Sequence, residues 1–170
     1  QEAGSLIEHI KTVGRFCAEY KTARAECSVL LTEAAMYTSM ALSGFDEAQR
    51  LLELALHMQE EMHGPHETTA RIMYANTLCE LGKVFRYRGN LDLAEETLQK
   101  ALTIQQLVWI NHERLEIAVT LHEIGVIFFK KQDLTKAETF LQRSLDLKRR
   151  LPRDSSTRET QRREEAVTLH

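Results

Sequence analysis

The sequence predicts an all-α protein built as a solenoid of antiparallel helical hairpins. Helix-favouring residues dominate the 170-residue chain, and only two prolines and seven glycines interrupt them. Apolar residues recur at the three- and four-residue spacings typical of amphipathic helices. Helix–turn–helix units with small residues at matching places also repeat along the chain. Because one hairpin cannot bury its own apolar face, we expect the copies to stack.

The first expected element is an amphipathic helix from about Ser5 to Cys27. One apolar stripe runs along it, formed by Leu6, Ile10, Val13, Phe16, Cys17 and Tyr20. No repeat signature accompanies this stripe. We therefore interpret residues 1–28 either as an N-terminal capping helix or as the second helix of a degenerate preceding repeat.

Residues 29–66 predict the first complete hairpin. A mostly apolar helix over Val29–Leu42 is broken at Ser43-Gly44, and a second helix begins at Phe45. Gly64-Pro65 closes the unit, since glycine and proline commonly end helices.

Two further hairpins are predicted over residues 67–111 and 112–152. Their helices are expected over about Glu67–Arg88, Leu91–Ile110, Arg114–Lys131 and Leu134–Arg150. Asn90 and Asp133 directly precede the second helix of each hairpin. Because Asn and Asp side chains accept hydrogen bonds from the first free backbone N–H groups, we expect both residues to cap those helices.

Residues 153–170 predict a linker and the first helix of a truncated fourth repeat. Ser156-x-x-Glu159 has the spacing of a capping box. The last five residues, Ala166–His170, repeat Ala118–His122 in identical order. Because this second copy has only begun where the chain ends, and because the chain starts with Gln1, we interpret it as a fragment of a longer protein.

Small residues set the register of the repeats. The distance from Gly82 to Ala94 equals that from Gly125 to Ala137, 12 residues in each case. We expect these residues to lie where the two helices of a hairpin touch. In the first hairpin the place of the glycine falls on Met36, so we interpret that repeat as degenerate.

The motif Leu81-Gly82-x-x-Phe85, followed by Ala94-x-x-x-Leu98, resembles the tetratricopeptide repeat. A second copy begins at Ile124-Gly125-x-x-Phe128 and continues to Ala137-x-x-x-Leu141. The repeats exceed the usual length of about 34 residues, and in this they are similar to those of kinesin light chains, nephrocystin-3 and the arrays of some NB-ARC-type signalling ATPases. The resemblance implies a right-handed superhelix whose concave face is lined by the first helix of each repeat.

This implied concave face is the candidate binding site. The helical period places there Asn76, Cys79, Glu80, Lys83, Arg86 and Tyr87 in the second repeat, and Val119, His122, Glu123, Val126, Phe129 and Lys130 in the third. The first repeat contributes Leu30, Glu33, Tyr37 and Met40. This mixed surface suits an extended or helical peptide and not a polyanion. We expect Tyr87, Arg86 and Phe129 to be the main anchors, since aromatic and arginine side chains dominate interfaces.

Two recognition devices that the resemblance would suggest are missing. Kinesin light chains commonly carry an Asn-Asn pair, and its places here hold Cys79-Glu80 and His122-Glu123. The Lys, Asn and Arg set by which chaperone-binding relatives hold a terminal carboxylate is also incomplete. We therefore do not expect a chaperone C-terminus as the ligand.

Composition excludes several other classes of function. The net charge of −3 gives no reason to expect nucleic acid, and no apolar run is long enough to suggest a membrane span. The three cysteines, Cys17, Cys27 and Cys79, lack CxxC spacing. We predict buried free thiols in a reducing compartment, and hence a cytoplasmic protein.

No constellation of residues predicts an enzyme, a cofactor or a metal. His57, His63 and His66 are too few for a zinc site, and no nucleophile motif accompanies His122-Glu123. The leading hypothesis is a protein–protein interaction scaffold that binds a peptide or helix of a partner protein. The alternative is a regulatory array that docks on its own chain or forms a homodimer through exposed array ends.

Overall fold

A computed structural model describes residues 2–20, 23–62, 68–109 and 114–151. All regular secondary structure within these ranges is α-helix, which confirms the predicted all-α class. The helices are α1 (Glu2–Tyr20), α2 (Arg24–Ala41), α3 (Phe45–Glu60), α4 (Thr68–Tyr87), α5 (Leu91–Val108), α6 (Leu115–Lys130) and α7 (Leu134–Arg150). Gly64-Pro65, the capping box at Ser156 and the repeated Ala166–His170 lie outside the described residues.

The helices form three antiparallel hairpins, α2/α3, α4/α5 and α6/α7, stacked in chain order. The second helix of one hairpin contacts the first helix of the next, and the first helices α2, α4 and α6 also contact each other in sequence. Helix α1 packs against α2 and α3 at one end of the stack. This nearest-neighbour pattern is that of a helical solenoid.

Small residues lie at the closest helix contacts, as the sequence predicts. A Cβ atom at Gly82 would lie 2.6 Å from Cγ of Leu98, and one at Gly125 would lie 2.8 Å from Cγ of Leu141. Ala94 is fully buried, but the side chain nearest to Gly82 is that of Leu98. The absence of a Cβ therefore allows a leucine of the second helix to pack directly against the backbone of the first.

The first hairpin keeps this contact, so its interpretation as a repeat without the small residue is wrong. Ala35 is fully buried, whereas Met36 is 37% exposed. The buried positions of α2 match those of α4 at a spacing of 47 residues, so that Leu31 corresponds to Leu78 and Ala35 to Gly82. Ala35, and not Met36, occupies the place of the glycine.

One additional turn residue explains this shift. In the second hairpin the backbone N–H of Asn90 donates to the carbonyl of Phe85, five residues earlier. In the first hairpin Gly44 donates to Thr38, six residues earlier. The extra residue leaves α3 in register and moves the contact face of α2 by one position.

The structure also corrects the N-terminal boundary. Helix α1 ends at Tyr20 and α2 begins at Arg24, so a helix continuing to Cys27 is wrong. Ala23, which precedes α2, has a φ of 44°, a left-handed conformation that separates the two helices. The sequence boundary between residues 28 and 29 therefore falls inside α2.

The two predicted N-caps have different outcomes. The Asp133 side chain accepts a hydrogen bond from the Lys136 backbone N–H at 3.1 Å, which confirms that cap. Asn90 is the N-cap residue of α5, as predicted, but its side chain makes no capping hydrogen bond.

The prediction of three free thiols is also wrong. Cys17 of α1 and Cys27 of α2 are paired as a disulfide. Cys79 remains free and is buried in α4. The two paired cysteines lie on facing helices, which the sequence could not show while the boundary between those helices was misplaced.

An ion-pair clamp recurs between neighbouring hairpins. Arg88, after α4, lies 2.8 Å from Asp46 at the start of α3. Lys131, after α6, occupies the same repeat position and bonds to Asp92 and to Glu95, the latter at 2.7 Å. Each clamp joins the turn of one hairpin to the second helix of the preceding one, and so helps to fix the angle between repeats.

Among the described helices, none combines the length and the apolar character required to cross a membrane.

Candidate protein-binding groove

The first helices α2, α4 and α6 together form a surface with two cavities, which we call the groove. The α2–α4 cavity has a volume of about 160 Å³ and the α4–α6 cavity one of about 350 Å³. Met36, Glu80 and Lys83 line both cavities. Residues of all three first helices line each cavity, and the two cavities follow one another along α4, over residues 76–83 and 80–87.

Apolar side chains form the walls of the α2–α4 cavity. Met40 is 79% exposed and Tyr87 53% exposed, although both line the cavity. The Tyr87 ring stacks on Phe45 with the ring centroids 5.3 Å apart. This contact holds one wall in a fixed orientation, while the Met40 side chain is free to adapt to a ligand.

The α4–α6 cavity has polar atoms in an otherwise apolar lining. Leu115 and Val119 of α6 line one side, with Leu115 55% exposed. Cys79 and Gln105 lie deeper, and Gln105 Oε1 is buried without a hydrogen-bond partner among the described residues. Burial raises the pKa of the Cys79 thiol to about 11, so this thiol is protonated and a weak nucleophile at neutral pH.

The charged groups of the groove are paired with each other. Arg86 Nε donates to Glu123 Oε2 at 3.0 Å, and both side chains are less than one-sixth exposed, at 12% and 13%. The Arg86 guanidinium also lies 4.2 Å from the centroid of the Tyr87 ring. This bridge joins α4 to α6, and each group neutralises the other.

A second ion pair lies on α4 itself. Lys83 Nζ donates to Glu80 Oε1 at 2.7 Å. Burial by itself would lower the pKa of Lys83, but the attraction and hydrogen bond of Glu80 outweigh it and the pKa is raised. Lys83 is therefore charged at neutral pH, with its charge directed at Glu80.

A layer of buried polar groups supports the groove from below. Gln59 Nε2 donates to Thr77 Oγ1 at 3.0 Å and to Ser28 Oγ at 3.3 Å. Thr77 also lies 3.2 Å from Thr32, which lines the α4–α6 cavity. These bonds tie α2, α3 and α4 together, so the groove residues stand on a connected base.

The structure places the sequence-predicted residues in two groups. Asn76, Glu80, Lys83, Tyr87 and Glu123 line one or both cavities, and Arg86 is bonded to Glu123. Val126 is half-buried, and His122 and Lys130 are exposed. Phe129 is 62% exposed and lines a different surface, together with Leu134 and Leu145 near α7.

The sequence missed several lining residues of the first repeat. Thr32 and Met36 line the cavities, whereas Leu30 and Tyr37 line neither. The error follows from aligning Met36 with Gly82. Ala35, a small residue directly before Met36, was the signal that could have corrected it.

The described residues contain no group of three or more His, Cys, Asp or Glu side chains placed to hold a metal ion. His63 and His66, two of the three histidines considered as zinc ligands from the sequence, lie outside those residues.

The outer face of α7 is a second exposed apolar surface. Leu134 is 63% exposed and Leu145 is 42% exposed beside a cavity of about 430 Å³. At the repeat position of Leu145, α5 carries Leu102, which is only 9% exposed. Helix α6 packs against α5, and within the described residues no helix follows α7 to cover its corresponding face.

Comparison with known proteins supports the repeat assignment. Residues 74–150 match the sequence model of the tetratricopeptide repeat. The fold is similar to that of BtubC (BKLC) from P. vanneervenii, with a TM-score of 0.70 and 18% identity over 91% of this chain and 62% of that one. A search of curated proteins found no match.

Two crystal structures from Podosopora anserina are also similar. Both are of a protein described as a putative kinesin light chain with nearly identical TPR-like repeats. One is of a variant of that protein and has a TM-score of 0.64 and 18% identity, over 85% of this chain and 66% of that one. The other has a TM-score of 0.64 and 17% identity, over 89% and 70%. The chain thus spans roughly two thirds of the length of these proteins, and the likeness concerns the fold.

Proposed function

We propose that this protein, a tetratricopeptide repeat protein by residues 74–150, is an interaction module whose groove binds a segment of a partner protein. Such repeats generally act as protein-interaction scaffolds. They present extended surfaces made of stacked helices, and proteins of this family are generally non-enzymatic.

The exposed apolar lining of the groove carries this proposal. Met40, Tyr87 and Leu115 are each more than half exposed, yet they line adjoining cavities on one face. Contiguous exposed apolar surface of this kind marks sites of association, because covering it with a partner removes it from water. The ion pairs beside it hold the surrounding side chains in place.

Selected peptides can test the proposal. A random 16-residue peptide library is panned against the protein, and binders are measured again with Met40→Ala and Leu115→Ala. We expect each substitution to weaken binding about tenfold, since an interface anchor is typically worth more than about 1 kcal/mol. Leu107→Ala is the matched control, because Leu107 is 62% exposed but lines neither cavity. Equal binding by all three variants would show that the groove is not the site.

A cytoplasmic location is a separate proposal. The free, buried Cys79 is compatible with it, whereas the Cys17–Cys27 pair weighs against it because disulfides are rare in reducing compartments. Alkylation of the protein in intact cells, followed by mass measurement, tests this. Modification of Cys17 and Cys27 would support the cytoplasm, and their protection as a disulfide would contradict it.

The α7 face supports self-association as a second candidate function. Leu134 and Leu145 lie exposed where the stack would continue, so a second copy could cover them. Light scattering at two protein concentrations, with Leu145→Glu as the comparison, tests this. A dimer lost in the variant would support self-association, and a monomer at both concentrations would reject it.

A further inference from the structure

We infer that the partner segment is an amphipathic α-helix of low net charge, whose apolar residues at positions i and i+4 enter the two groove cavities. This inference rests on the proposed function and adds the chemistry of the partner. It follows from the pairing of the groove charges, from the supply of hydrogen-bonding groups and from the placement of the cavities.

The cations of the groove are not available to an acidic partner. Arg86 is bonded to Glu123 at 3.0 Å, and both side chains are largely buried. A partner carboxylate that drew Arg86 away would leave the Glu123 charge buried and unpaired, which is strongly unfavourable. Lys83 is held in the same way by Glu80 at 2.7 Å.

Other charges on the first helices do not create a field of one sign. Glu33 and Glu116 are carried by α2 and α6, and the exposed Lys130 at the end of α6 has the opposite sign. A strongly acidic or strongly basic segment therefore gains little from long-range attraction. Apolar contact is the main interaction that this surface offers.

The lining also favours a helix over an extended segment. An extended peptide exposes one backbone donor and one acceptor per residue, and its binding site must satisfy those that become buried. Glu80 and Glu123 are already engaged in ion pairs, and the only amide side chains among the described residues that line the two cavities, Asn76 and Gln105, both belong to the α4–α6 cavity. A helix satisfies its own backbone groups and needs only apolar contacts from the groove.

The arrangement of the cavities sets the spacing of the anchors. Residues of α2, α4 and α6 line both cavities, and the lining positions of α4 shift by four, from Asn76, Cys79, Glu80 and Lys83 in the α4–α6 cavity to Glu80, Lys83, Val84 and Tyr87 in the α2–α4 cavity. Four residues of a helix rise about 6 Å, so we place the cavity centres about 6 Å apart along α4. Residues i and i+4 of a partner helix have the same rise and share one face, which matches anchors at i and i+4.

Two matched display libraries test the inference. The first has an 18-residue alanine–glutamine host that is randomised at positions i, i+3, i+4 and i+7 of one face. The second is identical except for a proline between the randomised positions, which prevents a continuous helix. We expect binders only from the first library, with apolar residues at i and i+4 and a net charge within about one unit of zero. Their dissociation constants should change less than about threefold between 50 and 500 mM NaCl, because apolar contact is not screened by salt.

Protein variants separate the inference from the proposed function. Glu123→Gln removes the carboxylate that holds Arg86, and we expect a version of the selected helix with glutamates beside its anchors to bind this variant at least about threefold more tightly than it binds the unmodified protein. Met40→Ala and Leu115→Ala should weaken binding about tenfold, with Leu107→Ala unchanged and circular dichroism confirming that each variant is folded.

The contrary outcomes are distinct. Strongly charged binders, binders that come equally from the proline library, or an acidic helix that gains no affinity for the Glu123→Gln variant would overturn the inference and leave the groove as the site. Failure to select any binder that responds to Met40→Ala or Leu115→Ala would overturn the proposed function and the inference with it.

Discussion

At Gly82, helix α4 approaches α5 so closely that a Cβ atom would lie 2.6 Å from Leu98 Cγ and 2.9 Å from its Cδ2. Gly82→Ala should therefore lower the free energy of unfolding. Overpacking of a core costs about 1–3 kcal/mol, and the better helix propensity of alanine offsets about 1 kcal/mol of it.

Urea unfolding followed by circular dichroism measures this change. Gly4→Ala is the control, because a Cβ at Gly4 in α1 would have no heavy atom within 4 Å. We expect the control to be neutral or slightly stabilising. Equal stability of the two variants would mean that Leu98 moves aside at little cost.

Cys79 makes stability depend on pH in the alkaline range. Its pKa is about 11 in the folded protein, above the ordinary value of a thiol. Between these two pH values the thiol is protonated in the folded state and ionised in the unfolded state. Stability therefore falls as the pH rises from about 9 to about 11, and two units of difference correspond to about 2–3 kcal/mol.

Cys79→Ala isolates this contribution, because other groups titrating in the range are common to both proteins. The decrease in unfolding free energy between pH 8 and pH 11 should be smaller in the variant. Parallel pH profiles for the two proteins would contradict the assignment. Slow reaction of the native thiol with an aromatic disulfide reagent at pH 8 provides an independent check.

Residue-level errors in the sequence interpretation came from register. The choice of Met36 as the counterpart of Gly82 assumed turns of equal length, and nothing in the sequence indicated that the turn of the first hairpin is one residue longer. The choice moved the inferred groove face of α2 to Leu30 and Tyr37. Side-chain pairing is also set by helix packing, which explains why the Cys17–Cys27 pair was not predicted.

Elements were predicted more accurately than contacts. The helix from Leu134 to Arg150 and its Asp133 cap agree with the structure, because capping and periodicity are local properties of the chain. The ion pair between Arg86 and Glu123 joins residues of two repeats. Both residues were expected on one face, but their partnership depends on side-chain conformation across the helix interface and could not be read from spacing.

The clamp at Lys131 connects elements of adjacent repeats. Lys131→Met should lower the free energy of unfolding by up to about 1 kcal/mol, because it removes partly exposed ion pairs with Asp92 and Glu95. The loss should shrink in 1 M NaCl, where exposed charges are screened. Lys136→Met is the control, since Lys136 pairs with Asp133 within one repeat at 3.0 Å.

Thermal unfolding of the two variants at low and high salt tests the clamp. If the loss of stability in Lys131→Met does not depend on salt, the effect comes from packing of the aliphatic part of the lysine side chain and not from its charge.

The described helices form a stack in which each hairpin contacts mainly its neighbours. The contribution of a residue to stability therefore depends on its place in the stack as well as on its type. The central hairpin α4/α5 is covered on both sides, by α3 and by α6. Helix α7 is covered on one side only within the described residues. Hydrogen exchange should therefore be slower in α4 and α5 than in α7.

Leu102 and Leu145 test this dependence with the same side chain at the same repeat position. Leu102 is 9% exposed in α5 and Leu145 is 42% exposed in α7. Leu102→Ala should cost about 2–5 kcal/mol, since it removes a buried side chain and leaves a cavity. Leu145→Ala should cost less than about 1 kcal/mol, because that side chain already contacts water. Urea unfolding at low protein concentration, where copies do not associate, compares them. Equal losses would show that the Leu145 face is covered in the monomer by part of the chain beyond residue 151.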